Sequence, residues 1–180
     1  MIEQQIRTWG VLDSNILAAL KHVGRETFVP PDYRHLAFAD VEIPIGQAQT
    51  MMEPKLEARL LQALAPKPGE NILEVGTGSG YMTALLSHAG ANVTTVEIYP
   101  ELISSAAEAL AAAGISNLSM EQGDASAGWG PEASWDAILH LHRKPGDRWS
   151  AGRCHWLGSG HGGRARRPRR KWCTFAGITF

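Results

Sequence analysis

The run Leu73-Glu74-Val75-Gly76-Thr77-Gly78-Ser79-Gly80-Tyr81 most constrains what this chain can fold into. Asn71-Ile72-Leu73-Glu74-Val75 is a short apolar run of strand length that stops at a glycine, and Tyr81 to Ala89 has the character of a helix ended by Gly90. Glycines at the turn between them let the backbone fold tightly and approach a ligand with no Cβ in the way. The free N–H groups that open the following helix are electropositive. The alternation then continues. Asn92-Val93-Thr94-Thr95-Val96-Glu97 is a β-branched strand, Pro100 to Ala113 an alanine-rich helix closed by Gly114, Asn117 to Glu121 a third strand and Trp135 to Leu139 a fourth. Repeated β-α-β units predict an α/β fold, with a parallel sheet covered by helices on both faces.

Upstream of this core, residues 13–23 predict an amphipathic helix capped by Asp13 or Ser14 and stopped by Gly24. Phe28-Val29-Pro30-Pro31-Asp32-Tyr33 is irregular because of its paired prolines. Residues 53–65 predict a second helix, with Pro54 at its start and Leu56, Leu60, Leu61 and Leu64 at helical spacing.

Glu97 ends the second strand of the core, 21 residues after Gly76, where an acid can accept both hydroxyls of an adenosine ribose. Taken singly, such an acid is as readily a solvated or helix-capping residue. In this order and spacing, the glycine loop and the acid predict a nucleoside cofactor. The loop runs G-x-G-x-G, unlike the dinucleotide fingerprint G-x-G-x-x-G, which disfavours a nicotinamide dehydrogenase.

That loop, preceded by Glu74, resembles the first motif of class I methyltransferases, which packs against the methionine end of S-adenosyl-L-methionine. Gln122-Gly123-Asp124-Ala125 follows the third strand, and by the same resemblance Asp124 holds the adenine amino group. More specific stretches lie upstream: Gly24-Arg25-Glu26-Thr27-Phe28-Val29-Pro30, Ala37-Phe38-Ala39-Asp40, and Ile43-Pro44-Ile45-Gly46-Gln47-Ala48-Gln49-Thr50-Met51-Met52-Glu53-Pro54. Together with Val96-Glu97 they resemble the protein-L-isoaspartate O-methyltransferase family over about residues 1–139. The resemblance implies a Rossmann-like class I methyltransferase. Its cofactor would contact Glu74, Gly76, Thr77, Gly78, Gly80, Glu97, Asp124 and Ala125, and Thr50 would stand beside the cofactor and the acceptor.

In that family the α-carboxylate of an isoaspartyl residue in a damaged protein is methylated. The ester then closes to a succinimide that reopens partly as normal aspartate. Met52 departs from the family's segment, which has a hydroxyl residue there. A methionine cannot donate a hydrogen bond. Either it withdraws a contact from the acceptor carboxylate, leaving a related methyltransferase with another substrate, or Met51 and Met52 are apolar lid or core residues.

Composition divides the chain. Residues 1–139 carry 7 Lys and Arg against 17 Asp and Glu, a net of −10, whereas residues 140–180 carry 10 against one, a net of +9. The first part comprises a leader, 1–66, and the cofactor-binding core, 67–139. The second contains Gly158-Ser159-Gly160-His161-Gly162-Gly163 and Arg164-Ala165-Arg166-Arg167-Pro168-Arg169-Arg170-Lys171, without helix or strand period, and predicts disorder. A basic tail holding three of the six tryptophans could bind nucleic acid nonenzymatically. Cys154, His155, His161 and Cys173 lack the paired spacings of a metal site. A reading-frame shift near residue 140 accounts for the change best, and predicts a sheet that lacks its last strands and leaves the fourth with an open edge. No run of eighteen apolar residues and no apolar signal core occur, so the expectation is a cytoplasmic, monomeric enzyme without metal, membrane or nucleic-acid partner.

Overall fold

The computed structural model describes residues 2–125, 128–130 and 135–141, with the backbone of 154–157 and 170–174. Its leader folds as the apolar spacing requires. Helix α1, Ser14–His22, starts at Asp13, whose side chain accepts from the N–H groups of Asn15 (2.8 Å) and Ile16 (3.3 Å). Ile16, Leu17, Ala19 and Leu20 turn one stripe inward. Val23 caps the end of α1 in extended conformation; Gly24, with φ of −65°, is not the left-handed stop its identity suggested. Helix α2, Pro54–Leu64, has Pro54 in its first turn and buries Leu56, Leu60, Leu61 and Leu64.

Between these helices lies a hairpin that the sequence did not announce. Strand β1, Ile43–Gly46, pairs antiparallel with β2, Gln49–Met51, placing Pro44 opposite Thr50 and Ile43 opposite Met51. The turn holds Gln47 and Ala48 at φ of 51° and 54°. Those angles are usual for a two-residue hairpin turn, but Asn-Gly or Asp-Gly is the usual sequence for it.

The main sheet begins with β3, Asn71–Val75, β4, Asn92–Glu97, β5, Leu118–Gln122, and β6, Ala137–His140. Helix α3, Tyr81–His88, joins β3 to β4, and α4, Pro100–Ala112, joins β4 to β5. These four strands are parallel in the order β5-β4-β3-β6, as the β-α-β alternation predicts. Strand β3 is paired on both sides, and its Ile72, Leu73 and Glu74 are buried. The register sets Val75 beside Val96, and Glu97 beside Gln122, so the carboxyl ends of three strands open at one level. That edge is where ligands bind in open α/β sheets.

The expectation of an open edge on β6 is corrected. Strand β8, Arg170–Thr174, pairs parallel with β6, and β7, Cys154–Leu157, pairs antiparallel with β8, giving the six-strand order β5-β4-β3-β6-β8-β7. Both short runs hold a tryptophan and no proline, and the unpaired N–H and C=O groups of β6 offer them a template. The glycine- and arginine-rich stretch from Gly158 to Arg169, with His161, lies outside the described residues, so the disorder, metal and nucleic-acid readings placed on it do too.

Candidate active site

The loop from Gly76 to Gly80 is shaped by close approaches. Gly76 has φ of +95°, its N–H donates to the Val96 carbonyl at 2.8 Å, and a Cβ there would stand 3.3 Å from the carbonyl oxygen of Leu141. A Cβ on Gly78 would meet Ile45 of the hairpin at 3.4 Å, so β1 and the loop are neighbours. Gly80 opens α3 at φ of +82°, and a Cβ there would come within 3.1 Å of the Ala106 methyl on α4. We expect Gly80→Ala to destabilise the fold by about 1–3 kcal/mol, from the left-handed backbone and the collision together. Urea unfolding measures this; an unchanged midpoint would mean the loop has another conformation.

Two of the predicted residues lie beneath the loop. Glu74 is completely buried; its Oε2 accepts from the Thr83 hydroxyl at 2.5 Å. Burial pushes its carboxyl from an ordinary 4.5 up to about 7, against a lowering by the nearby Thr83 and Thr95 hydroxyls and with a further rise from the Glu97 charge. Thr77 is buried too, its hydroxyl 2.6 Å from that of Thr95. Two buried hydroxyl contacts thus lie under the loop, Thr77 with Thr95 and Thr83 with Glu74.

Glu97 sits at the loop's edge. Its Oε2 accepts from the Gly78 N–H at 3.0 Å, and its Oε1 from the N–H groups of Ile98 (2.9 Å) and Tyr99 (3.1 Å). Three backbone donors fix the plane of this carboxylate: Oε1 takes two of them and Oε2 one, which leaves Oε2 a lone-pair direction for a ligand hydroxyl. The Gly123 N–H donates to the Glu97 carbonyl at 2.9 Å, which brings the exit of β5, with exposed Asp124 and half-buried Ala125, to the same edge. Sequence reasoning missed Trp129. Its ring covers Gly123, where a Cβ would lie 2.4 Å from it, and its Nε1 donates to Glu121 at 2.9 Å. A tryptophan shortly after a strand-end glycine was the available signal.

On the hairpin, Thr50 is half-buried and its hydroxyl donates to Glu42 at 3.0 Å. Met51 and Met52 are both buried in the core, as apolar residues packed under the hairpin. A buried guanidinium, Arg25, holds the backbone behind them: its Nη2 donates to the Met52 carbonyl at 2.6 Å and its Nε to the Ala37 carbonyl at 2.7 Å, while Nη1 is paired with Glu57 of α2. Neither Arg25 nor Glu57 stood out as a site residue in the sequence, because a charge inside a core has no period.

The arrangement suits a nucleoside ligand. Glycines line the turn where side chains would collide, and an anchored carboxylate stands one strand away at the end of β4. The sheet brings Gly76, Gly78, Gly80, Glu97, Asp124 and Ala125 to one edge and lays the Thr50 hairpin against it through Ile45.

Comparisons with known proteins agree. Residues 1–142 match the family described as Protein-L-isoaspartate(D-aspartate) O-methyltransferase. Protein-L-isoaspartate O-methyltransferase 1 of Rhodopseudomonas palustris is 46% identical over 139 residues, covering 77% of this chain and 57% of that protein. The protein of the same name from Gloeobacter violaceus is 42% identical over 139 residues, covering 77% and 68%. The chain therefore spans a little over half the length of the first of these relatives. Among solved structures, a protein-L-isoaspartate O-methyltransferase superposes with a TM-score of 0.62 at 24% identity, over 75% of this chain and 45% of that one. A Plasmodium falciparum protein assigned to the same activity, solved with S-adenosyl-L-homocysteine, superposes at 0.66 and 16% identity over 97% and 93%, which shows a shared fold. With the motifs of the leader and of the core meeting at one sheet edge, and with a match reaching from residue 1 to 142, this chain belongs to the protein-L-isoaspartate(D-aspartate) O-methyltransferase family.

Proposed function

We propose that this chain transfers a methyl group from S-adenosyl-L-methionine to the carboxylate of L-isoaspartyl residues in damaged proteins. The observation that carries the reading is the pairing of an anchored glycine loop with the Thr50 hairpin, in a chain related to enzymes named for that activity. Residues 1–139 are its working unit. When bound, the cofactor supplies a sulfonium methyl to which a carboxylate oxygen can bond as the carbon–sulfur bond breaks.

Everything else falls to the chain's own groups. Gly76, Gly78 and Gly80 bring the backbone close, and Glu97 accepts the ribose hydroxyls. Asp124 and Ala125 receive the adenine. Glu74 and Thr77 act from below, holding the loop's shape through the Thr83 and Thr95 hydroxyls. Thr50 stands at the acceptor side. Catalysis is then chiefly alignment of two reactive groups with water kept out. The reading includes a monomer working in the cytoplasm; among the described residues no helix is long and apolar enough to cross a membrane.

The test is calorimetry with S-adenosyl-L-methionine, followed by methylation of an isoaspartyl peptide and of its aspartyl twin. We expect saturable binding, and methyl ester on the isoaspartyl peptide alone. Binding without transfer would point to a related methyltransferase with another acceptor. No binding by a folded chain would overturn both.

A further inference from the structure

Arg25 is 1% exposed, and its guanidinium is used from every side. It lies in a short 3-10 turn, Arg25–Phe28, and donates to Ala37 in the leader and to Met52 just past the hairpin. It is ion-paired with Glu57, itself 2% exposed on α2. Its carbon centre lies 5.1 Å from the ring centroid of Tyr81, the first residue of α3 and the one that follows the glycine loop. Phe28 of the same turn packs on that ring at 5.5 Å. One planar group thus touches the leader, the acceptor segment, α2 and the start of the cofactor helix.

Such a pair is costly to bury, and burial lowers the Arg25 pKa to about 10. Apolar residues of similar volume often stabilise a core as well or better. What they cannot do is donate in fixed directions to two carbonyls and a carboxylate at once, which a guanidinium fork can. The Met52 carbonyl is two residues from Thr50, and Pro54, two residues further on, has no N–H with which to anchor the segment.

Resting on the methyl-transfer reading above, we propose that Arg25 is a positioning residue: paired with Glu57, it fixes the Thr50–Pro54 segment against α3 so that the acceptor meets the cofactor in register. Its contribution is distance and orientation, with no contact to the reacting atoms. Displacement of a reacting group by about 1 Å can cost on the order of 100-fold in rate.

Two variants test it, Arg25→Lys and the double replacement Arg25→Met with Glu57→Met. The lysine keeps the charge and loses the fork; the double variant removes both charges together, so neither is left buried alone. Each is to be measured for cofactor affinity, for kcat and KM with an isoaspartyl peptide, and for amide hydrogen exchange at residues 50–53. In both we expect cofactor affinity within about twofold of wild type, a kcat/KM lower by about 10- to 100-fold, and faster exchange confined to the acceptor segment. Unchanged kcat/KM and unchanged exchange in folded variants would overturn the proposal. So would equal losses of cofactor binding and transfer, or failure of both variants to fold, since each means a structural role only. If the wild-type chain transfers no methyl group, the repair reading fails by itself, and the exchange at residues 50–53 still decides whether Arg25 holds the segment.

Discussion

Glu97→Ala should weaken S-adenosyl-L-methionine binding by about 100-fold while the chain stays folded. Two losses add. The ribose hydroxyls lose a charged acceptor, and hydrogen bonds to charged groups contribute about 1.5–3 kcal/mol each. The Gly78 N–H loses the oxygen that holds it at 3.0 Å, so of the loop's two bonds to β4 named above only the one from Gly76 to Val96 remains. Ile98 is half exposed, and water can replace the carboxylate at that end, which is why the fold survives. Glu97→Gln should fall between, at about 10-fold, because the amide keeps one acceptor oxygen and turns an NH2 toward a backbone donor or the ligand. Calorimetry on the two variants beside the wild type decides it. A folded Glu97→Ala chain that binds within twofold of wild type would remove Glu97 from the site.

The second large effect is a fall in stability with rising pH that belongs to Glu74. Its carboxyl is raised from 4.5 to about 7 by burial, so between those values the folded chain holds a proton that the unfolded chain has released. Stability is therefore greatest below the window, declines as pH climbs through it, and levels off above about pH 7. The span corresponds to a decline on the order of 3 kcal/mol from this one group. Glu74→Gln carries no ionisable proton, and its amide oxygen can still accept from the Thr83 hydroxyl. Urea unfolding of both proteins from pH 4.5 to 8 isolates the contribution, since every other titrating group is common to them. Parallel curves for the two chains would show that Glu74 is not held neutral in the core.

The core was legible because its signals are local and periodic. Asn71–Val75, Tyr81–His88, Asn92–Glu97 and Pro100–Ala112 each fall within a residue or so of the boundaries predicted from apolar runs, prolines and closing glycines. The glycine loop and Glu97 were legible for the same reason, since spacing along β3 and β4 becomes distance at the sheet edge. The hairpin was not, because Gln47-Ala48 adopts a turn whose usual residues it lacks. Arg25 and Glu57 were not, because they lie 32 residues apart and only folding makes them partners. Strands β7 and β8 escaped notice because their pairing depends on the edge that β6 presents, a long-range condition absent from their own composition.

The carbonyl of Leu141 closes the glycine loop from behind Gly76. Leu141 donates its N–H to Val75 at 2.8 Å and forms the wall that keeps residue 76 a glycine, and the family match stops one position later. Among the described residues, β8 joins the sheet along β6, and β7 along β8. A chain cut just behind Leu141 would therefore keep the rear wall of the glycine loop while β6 lost its neighbour β8.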